Sequence, residues 1–149
     1  MIESVATIVI NKPLTEVFQF VAQVANIPRW VQGAHVVNSS EGSVGNGTII
    51  QQGQVVARVT HVRVNQGFET ESTRIPFPTR LLVKHSQGMV QVEPAGQGTQ
   101  LTLKEQLEPT PLLKPFEHLV AKKAHRDSQA ALEQLKQLLE HQTGEASIK

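Results

Sequence analysis

The feature that most constrains the fold is a long helical segment near the C-terminus, residues 111–141. After Pro115 no residue breaks a helix, and Ala, Leu, Lys, Gln and Glu, which dominate the segment, are strong helix formers. At about 1.5 Å per residue, residues 115–141 would extend roughly 40 Å, enough to cross a small domain. We therefore expect the rest of the chain to be arranged around one long helix.

This segment is amphipathic. Its apolar residues mostly recur three, four or seven positions apart and are Leu112, Phe116, Leu119, Val120, Ala124, Ala131, Leu135 and Leu138. Such spacing predicts a helix with one buried side. Asp127 interrupts the stripe, and it lies either at the rim of the helix or among the polar groups of a pocket.

The residues before the helix have the pattern of β-strands separated by turns. Residues 2–10 are β-branched and roughly alternating, which predicts a first strand. Helical spacing then predicts one short helix over residues 13–23 and a second over residues 26–30. Further strands are predicted over residues 35–39, 48–52, 55–64, 68–74, 81–86, 89–93 and 99–107, where 81–93 is alternatively one strand bent at Gln87 and Gly88.

The order of these elements predicts an α+β fold rather than a parallel α/β fold. We expect a curved antiparallel sheet of about six to seven strands around the C-terminal helix, with two short helices after the first strand. For a chain of 149 residues we expect one domain over residues 1–149, with residues 142–149 as a frayed tail. Function should depend on the space between sheet and helix.

Composition excludes several functional classes. With 14 Lys and Arg against 13 Asp and Glu, the net charge of +1 gives no electrostatic reason to expect nucleic acid as a partner. The absence of cysteine excludes disulfides, thiolate metal sites and a cysteine nucleophile. The N-terminus lacks the basic segment of a signal peptide, and no apolar run approaches the roughly 20 residues that span a bilayer. We expect a cytoplasmic protein without integral membrane association, cofactor or metal, and its oligomeric state stays open.

Several stretches carry a family resemblance in the usual order. They are residues 8–21 (a strand, then a helix with Val17 and Phe18), residues 26–30 (a short helix ending in Trp30), the glycine hairpin at 44–48, residues 59–62, residues 92–94 with 98–99, and the final helix. Together they resemble the START-related, birch-pollen-allergen-like (SRPBCC) superfamily, and within it the polyketide cyclase/dehydrase and lipid-transport group. The resemblance implies a helix-grip fold that holds apolar ligands such as lipids, polyketides or steroids. A minority of the group catalyses cyclisation or dehydration, but these scaffold motifs carry over no catalytic residue.

The last predicted strand places a carboxylate among leucines. Leu101, Leu103, Glu105 and Leu107 share one face, because side chains alternate along a strand. A carboxylate on an inward face must find a partner or rise in pKa, which is how ligand-anchoring and general-base groups arise. Glu105 is therefore a candidate polar group of a cavity, and a solvated strand end or an ion pair is the alternative.

Two basic residues are further candidates. Arg74 shares a face with Phe68 if its strand is regular, where it would pair with Glu105 or with a ligand carboxylate; a solvated rim arginine is the alternative. His85 alternates with Val83, which would point it inward, although a lone histidine on an apolar face is usually a hydrogen-bonded core residue. The inward face of residues 55–64 stays unassigned, since a bulge would exchange the two faces.

The candidate ligand-binding residues are Trp30, Phe68, Arg74, His85, Leu101, Leu103, Glu105, Phe116, Val120, Ala124 and Asp127. The first hypothesis is the binding, or transport, of a hydrophobic small molecule in the cavity. The second is a polyketide cyclase/dehydratase-type enzyme that uses the same cavity with Glu105 or His85 as general base. The third is a protein-interaction scaffold with a filled core.

Overall fold

The computed structural model describes residues 1–39 and 41–148, apart from the side chains of 142–148. Over these residues the chain forms one antiparallel sheet of seven strands, in the order β1-β7-β6-β5-β4-β3-β2, curled into a half-barrel. The strands are β1 (Ile2–Ile10), β2 (Ala34–Val36), β3 (Ile49–Gln52), β4 (Val55–Arg63), β5 (Gly67–Arg74), β6 (Val83–Ala95) and β7 (Gly98–Pro109). The predicted α+β class, with a curved sheet and a long C-terminal helix, is confirmed.

Three α-helices accompany the sheet over the described part of the chain. They are α1 (Leu14–Ala22), α2 (Ile27–Trp30) and α3 (Glu117–Ile148), with 3-10 turns at Val24–Asn26, Thr79–Leu81 and Pro111–Phe116. The long helix therefore starts with a 3-10 turn, because Pro115 cannot donate the amide hydrogen bond of an α-helix interior. The sequence predicts that residues 142–149 form a frayed tail. The side chains of 142–148 and the whole of Lys149 lie outside the described residues.

The first and last strands of the chain are neighbours in the sheet. Strand β1 pairs with β7 from Ile2 opposite Leu107 to Ile10 opposite Thr99. Strand β6 is continuous, so the alternative of one strand over 81–93 is correct and that of two separate strands is not. It pairs along its length with β7. Register shifts occur in β4 against β5 and in β6 against β7, and such bulges bend a sheet and strengthen its twist.

A filled core occupies one end of the half-barrel. Its largest fully buried side chains are Ile10, Ile27, Leu101, Leu132, Leu135, Val17, Val21 and Val59, together with Thr99. Helix α3 packs along β1 through the leucines of its second half, Leu132, Leu135 and Leu139. The hydroxyl of Thr99 donates to the carbonyl oxygen of Lys12 at 2.8 Å, so this buried polar group is satisfied.

The first half of the predicted apolar stripe is not buried. Leu112, Phe116 and Leu119 are 62%, 54% and 63% exposed, so the prediction that they face the sheet is wrong. Leu112 and Phe116 lie in the 3-10 turn Pro111–Phe116, and Leu119 lies in the first turn of α3. Periodicity identifies an apolar face but does not say which partner covers it.

The ambiguous strand β4 contains the bulge that the pattern allowed. Val59 lies opposite Thr70, whereas His61 lies opposite Glu69, so Thr60 is the extra residue. The shift puts His61 on the convex face, where its Nδ1 lies 3.0 Å from the carboxylate of Glu69. Val59 and Val62 consequently both face the concave side.

Candidate functional site

A cavity of about 510 Å³ lies between the concave face of the sheet and helices α2 and α3. Its apolar lining consists of Ile27, Trp30, Val31, Ile50, Val55, Ala57, Phe68, Met89, Val90, Leu103, Leu107, Val120, Ala124 and Ala131, with Gly88 in the sheet. Its polar lining consists of Gln52, Thr70, Ser86, Gln87, Lys104, Glu105, Lys123, Asp127 and Ser128. Sites for small organic ligands typically measure about 300–1,000 Å³ and combine an apolar wall with a few polar groups, as here.

The cavity exists because small residues face each other across the sheet and helix. Ala124, Ser128 and Ala131 follow one another at helical spacing on the inner face of α3. Gly88 supplies no side chain on the facing strand, and a Cβ there would lie 2.7 Å from the Oγ1 of Thr70. The interior is filled beside the leucines in the second half of α3. Beside Ala124, Ser128 and Ala131 it contains the cavity.

One row of polar residues crosses the concave face. Glu105 on β7 lies opposite Ser4 on β1 and opposite Gly88 on β6, and Gly88 in turn lies opposite Thr70 on β5. Directly paired residues of an antiparallel sheet share a face, so Ser4, Glu105 and Thr70 all point to the concave side. The next row on the same face is apolar, with Leu103 opposite Val90.

Glu105 is the titratable group whose environment is most unusual. Burial raises the pKa of its carboxyl above the ordinary value, and the negative charge of Asp127 raises that pKa further. Water can still reach a large part of this side chain. The two observations agree because Glu105 lines an open cavity, where protein surrounds the carboxyl on most sides while water enters from the mouth.

Asp127 and Lys123 form the rim of the cavity on α3. The Nζ of Lys123 donates to the Oδ2 of Asp127 at 2.9 Å, an i,i+4 pair on an exposed part of the helix. Asp127 therefore has its own counter-ion, whereas no basic group is among the causes that shift the pKa of Glu105. Lys123 and Asp127 are 75% and 64% exposed, so this pair marks the solvent side of the cavity.

The structure brings seven of the eleven sequence candidates to the cavity wall: Trp30, Phe68, Leu103, Glu105, Val120, Ala124 and Asp127. The other four lie elsewhere. Leu101 is fully buried in the filled core, and Phe116 is exposed at the start of the long helix. Arg74 and His85 lie outside the lining.

Strand irregularities account for the placement of both basic candidates. A register shift between Val56 and Ala57 brings Arg74 opposite Val56 instead of continuing the alternation from Ser72, and Arg74 is exposed. His85 follows a shift after Val83, and its Nε2 lies 3.2 Å from the Oε1 of Glu71. His85 therefore does not point into the cavity, and for Arg74 the alternative of a solvated arginine holds, because the alternating pattern is interrupted in each strand.

Several lining residues were missed by sequence reasoning. Ser128 is buried and lines the cavity, and its position between Ala124 and Ala131 on the helix stripe was the available signal. Met89, Val90 and Thr70 carry no signal of their own, since their role depends on how strands β5 and β6 pair.

Trp30 forms part of the cavity wall at the end of α2. It is 4% exposed, and its indole Nε1 is a buried donor that has no hydrogen-bond partner among the described residues. The hydroxyl of Ser4 is likewise buried and unpartnered there. Buried polar groups are normally satisfied, so these two donors leave hydrogen-bonding capacity close to the cavity.

The convex face of the sheet carries a smaller depression of about 160 Å³, bordered by His61, Glu69, Glu71, Lys104 and Gln106. Its volume is below the range of ligand sites. Among the described residues, no group of three His, Asp or Glu side chains is arranged to hold a metal ion. None of the described helices combines the length and the apolarity needed to cross a membrane.

Solved structures similar to this chain share its fold at low sequence identity. The protein MLL2253 from Mesorhizobium loti has a TM-score of 0.71 and 17% identity, over 93% of this chain and 97% of that one. The protein TTHA0849 from Thermus thermophilus has a TM-score of 0.69 and 17% identity, over 92% and 96%. DynU16, a protein of the dynemicin biosynthetic locus, has a TM-score of 0.69 and 14% identity, over 94% of this chain and 48% of that one.

The family assignment follows from sequence as well as from fold. The chain has no match among curated proteins. A family profile described as polyketide cyclase/dehydrase and lipid transport matches residues 1–140, which include all seven strands and every residue of the cavity wall. That match agrees with the helix-grip architecture, the apolar cavity and the order of motifs along the chain, and the chain therefore belongs to the polyketide cyclase/dehydrase and lipid transport family.

Proposed function

We propose that the protein binds a hydrophobic small molecule, of the lipid or polyketide kind, in the cavity between the sheet and α3. The observation that carries this proposal is the cavity itself, about 510 Å³ of space with a mainly apolar wall. Its volume is in the range of known ligand sites. The family and the curved sheet fit hydrophobic ligand binding.

The wall also suggests how such a ligand is oriented. Phe68, Val90 and Leu103 offer an apolar surface to the body of the ligand. The row with Glu105 and Thr70 offers hydrogen bonds to a single polar end. Because Glu105 and Asp127 are both acidic and their carboxylates accept hydrogen bonds, the preferred polar end is a donor such as a hydroxyl or an amine, whereas a carboxylate would be repelled.

A pair of alanine variants tests the proposal. Ala124→Phe places a ring in the cavity, whereas Ala130→Phe places the same ring on the exposed side of α3. We expect mass spectrometry of organic extracts to find an apolar compound with the wild-type protein and with Ala130→Phe, and at least about tenfold less with Ala124→Phe. Equal amounts with both variants, or no apolar compound with the wild type after expression in a lipid-containing host, would reject the proposal.

A second candidate function is catalysis in the same cavity, and the placement of Glu105 near Asp127 favours it. A carboxylate whose pKa is raised toward neutral pH is a better general base than an ordinary glutamate. In an aldol cyclisation, Glu105 would remove a proton from the carbon between two carbonyl groups. The resulting enolate would attack a third carbonyl carbon, forming a carbon–carbon bond, and Glu105 would return its proton to the new alkoxide. Loss of that hydroxyl together with a proton from the adjacent carbon would then release water and form a double bond.

Incubation with a linear poly-β-keto thioester tests this second candidate. Liquid chromatography with mass detection would follow loss of the linear substrate and appearance of a product lighter by one water. An enzyme would form this product faster than buffer does, and Glu105→Gln would abolish the excess rate. The same rate with wild type, Glu105→Gln and buffer would leave binding as the function. The third hypothesis, a scaffold with a filled core, has less support because the interior beside α3 is hollow.

A further inference from the structure

Exposed apolar side chains are concentrated at one end of the molecule. Two segments, residues 76–84 and 110–126, contribute six of them, which we call the apolar end surface: Phe77, Leu81, Leu82, Leu112, Phe116 and Leu119. Phe77, Leu112 and Leu119 are each more than 60% exposed. Single exposed apolar residues are normal in proteins, but a contiguous group marks an interaction site.

Hydrogen bonds bring the two segments together. The backbone amide of Thr110 donates to the carbonyl oxygen of Leu82 at 2.9 Å, and the hydroxyl of Thr110 donates to the carbonyl oxygen of Leu81. From Thr110 the chain continues directly into the turn Pro111–Phe116, which is anchored by the buried side chain of Leu113. The two segments therefore meet at Thr110, beside Leu81, Leu82 and Leu112, and we infer that their exposed side chains form one surface.

Positive charge surrounds this surface. Residues 76–84 and 110–126 contain six of the 14 Lys and Arg and one of the 13 Asp and Glu. With the adjoining Asp127, which pairs with Lys123, the net charge is +4 there and −3 on the rest of the chain. Lys122, Lys123 and Arg126 follow Leu119 by three, four and seven positions, so they lie on the same side of α3. Lys123 pairs with Asp127, while Lys122 and Arg126 are exposed.

We propose that the apolar end surface, with its surrounding Lys and Arg, docks on an anionic lipid membrane. Apolar side chains that enter the headgroup region, combined with basic residues that attract anionic lipids, are the two contributions that hold peripheral proteins at membranes. A second copy of this chain is the less suitable occupant, because two such surfaces would bring +4 against +4.

Docking in this orientation would also place the cavity close to the bilayer. Val120, the residue after Leu119, and Leu107, near the end of β7, both line the cavity. An apolar molecule would then pass between membrane and cavity over a short distance through little water. The docking proposal does not require this transfer, and it stands if the cavity binds nothing.

Vesicle sedimentation tests the docking proposal. The full-length protein would be mixed with vesicles of phosphatidylcholine alone or with about 30% phosphatidylglycerol, at about 0.1 M and about 1 M salt. We expect binding to the anionic vesicles at low salt and loss of most binding at high salt. The double variant Phe116→Ser with Leu119→Ser should bind at least about tenfold more weakly, and Lys114→Glu with Lys122→Glu should bind more weakly as well.

Matched variants elsewhere on the surface provide the controls. Val64→Ser removes a side chain that is 74% exposed outside this surface, and Arg58→Glu reverses an exposed charge on β4; both should bind like the wild type. Circular dichroism checks that each variant is folded. No binding to anionic vesicles at low salt, or equal binding by the Phe116/Leu119 variant, overturns the proposal. A concentration-dependent dimer in ultracentrifugation that the same variant abolishes would assign the surface to a second copy instead.

Discussion

Glu105 on β7 and Asp127 on α3 lie at the same cavity, and the negative charge of Asp127 helps to raise the pKa of the Glu105 carboxyl. Glu105 belongs to the sheet and Asp127 to the long helix that packs on its concave side. The protonation of Glu105 therefore depends on the distance between the sheet and α3. An apolar ligand with a polar end that satisfies Glu105 would relieve the repulsion between them.

The first prediction concerns the pH dependence of stability. In the pH range between the ordinary pKa of glutamate, about 4.3, and the raised native pKa of Glu105, the native state binds more protons than the unfolded state. The free energy of unfolding therefore falls as the pH rises through this range. Glu105→Gln removes the ionisation, so it should be more stable than the wild type at neutral pH and similar to it below about pH 4. Urea unfolding followed by circular dichroism between these pH values measures the difference.

Glu108→Gln is the matched control, since Glu108 is an exposed residue on the same strand that does not line the cavity. It should leave the pH profile of the wild type nearly unchanged. A profile for Glu105→Gln parallel to that of the wild type over the whole range would show that burial and Asp127 do not act on Glu105.

A second prediction concerns Gly67, at the start of β5. Its φ is 146°, and a Cβ at this position would lie 1.9 Å from the carbonyl oxygen of Val90, a backbone atom that cannot rotate away. We expect Gly67→Ala to lower the free energy of unfolding by more than about 3 kcal/mol. Gly53→Ala should cost only about 1 kcal/mol, because Gly53 has a φ of 61° but no atom within 4 Å of the added Cβ. Similar losses for both variants would contradict the close approach of β5 and β6.

The elements of this fold were predictable because their signals are local. Alternation of β-branched residues predicts β1, and the run of helix formers with apolar residues at helical spacing predicts α3. Alternation also placed Leu103 and Glu105 correctly on the concave face, since β7 has no bulge against β1 over those residues. A pattern of period two holds as long as the strand is regular.

Which of the remaining side chains face the cavity depends on β-bulges and on the elements that pack against each face. Neither can be located from the local sequence alone. One extra residue at Thr60 turns His61 to the opposite face, and the change of phase between Val59 and Val62 allowed a bulge without giving its position. The register shift before His85 could not be located from the sequence either. For Phe116 the apolar face was recognised, but its exposure depends on how the turn Pro111–Phe116 is placed in the fold, which has no local signal. The volume of the cavity depends on several elements at once.

A third prediction separates the two halves of the long helix. Leu135 has no exposed surface, so Leu135→Ala should lower the free energy of unfolding by about 2–5 kcal/mol through lost burial and a new cavity. Leu119→Ala should change it by less than about 0.5 kcal/mol, because the Leu119 side chain is 63% exposed. Urea unfolding of both variants at one pH measures the two values. A large loss for Leu119→Ala would mean that the apolar end surface is covered in the free protein.

The final prediction uses Trp30 as a reporter of the cavity. It is the single tryptophan of a chain that has no tyrosine, so the emission excited near 295 nm comes from this residue alone. Trp30 is 4% exposed, so its emission in the native protein should be blue-shifted from that of the unfolded chain and poorly quenched by acrylamide. The neutral dye N-phenyl-1-naphthylamine has no anionic group that Glu105 and Asp127 would repel, and it is apolar enough to enter a hydrophobic cavity. If it binds beside Trp30, tryptophan emission should decrease as dye emission rises by energy transfer. Ala124→Phe should suppress this transfer and Ala130→Phe should preserve it, because only the first ring occupies the cavity. Transfer of equal efficiency in both variants would place the dye outside the cavity and would leave the hollow beside α3 without a demonstrated occupant.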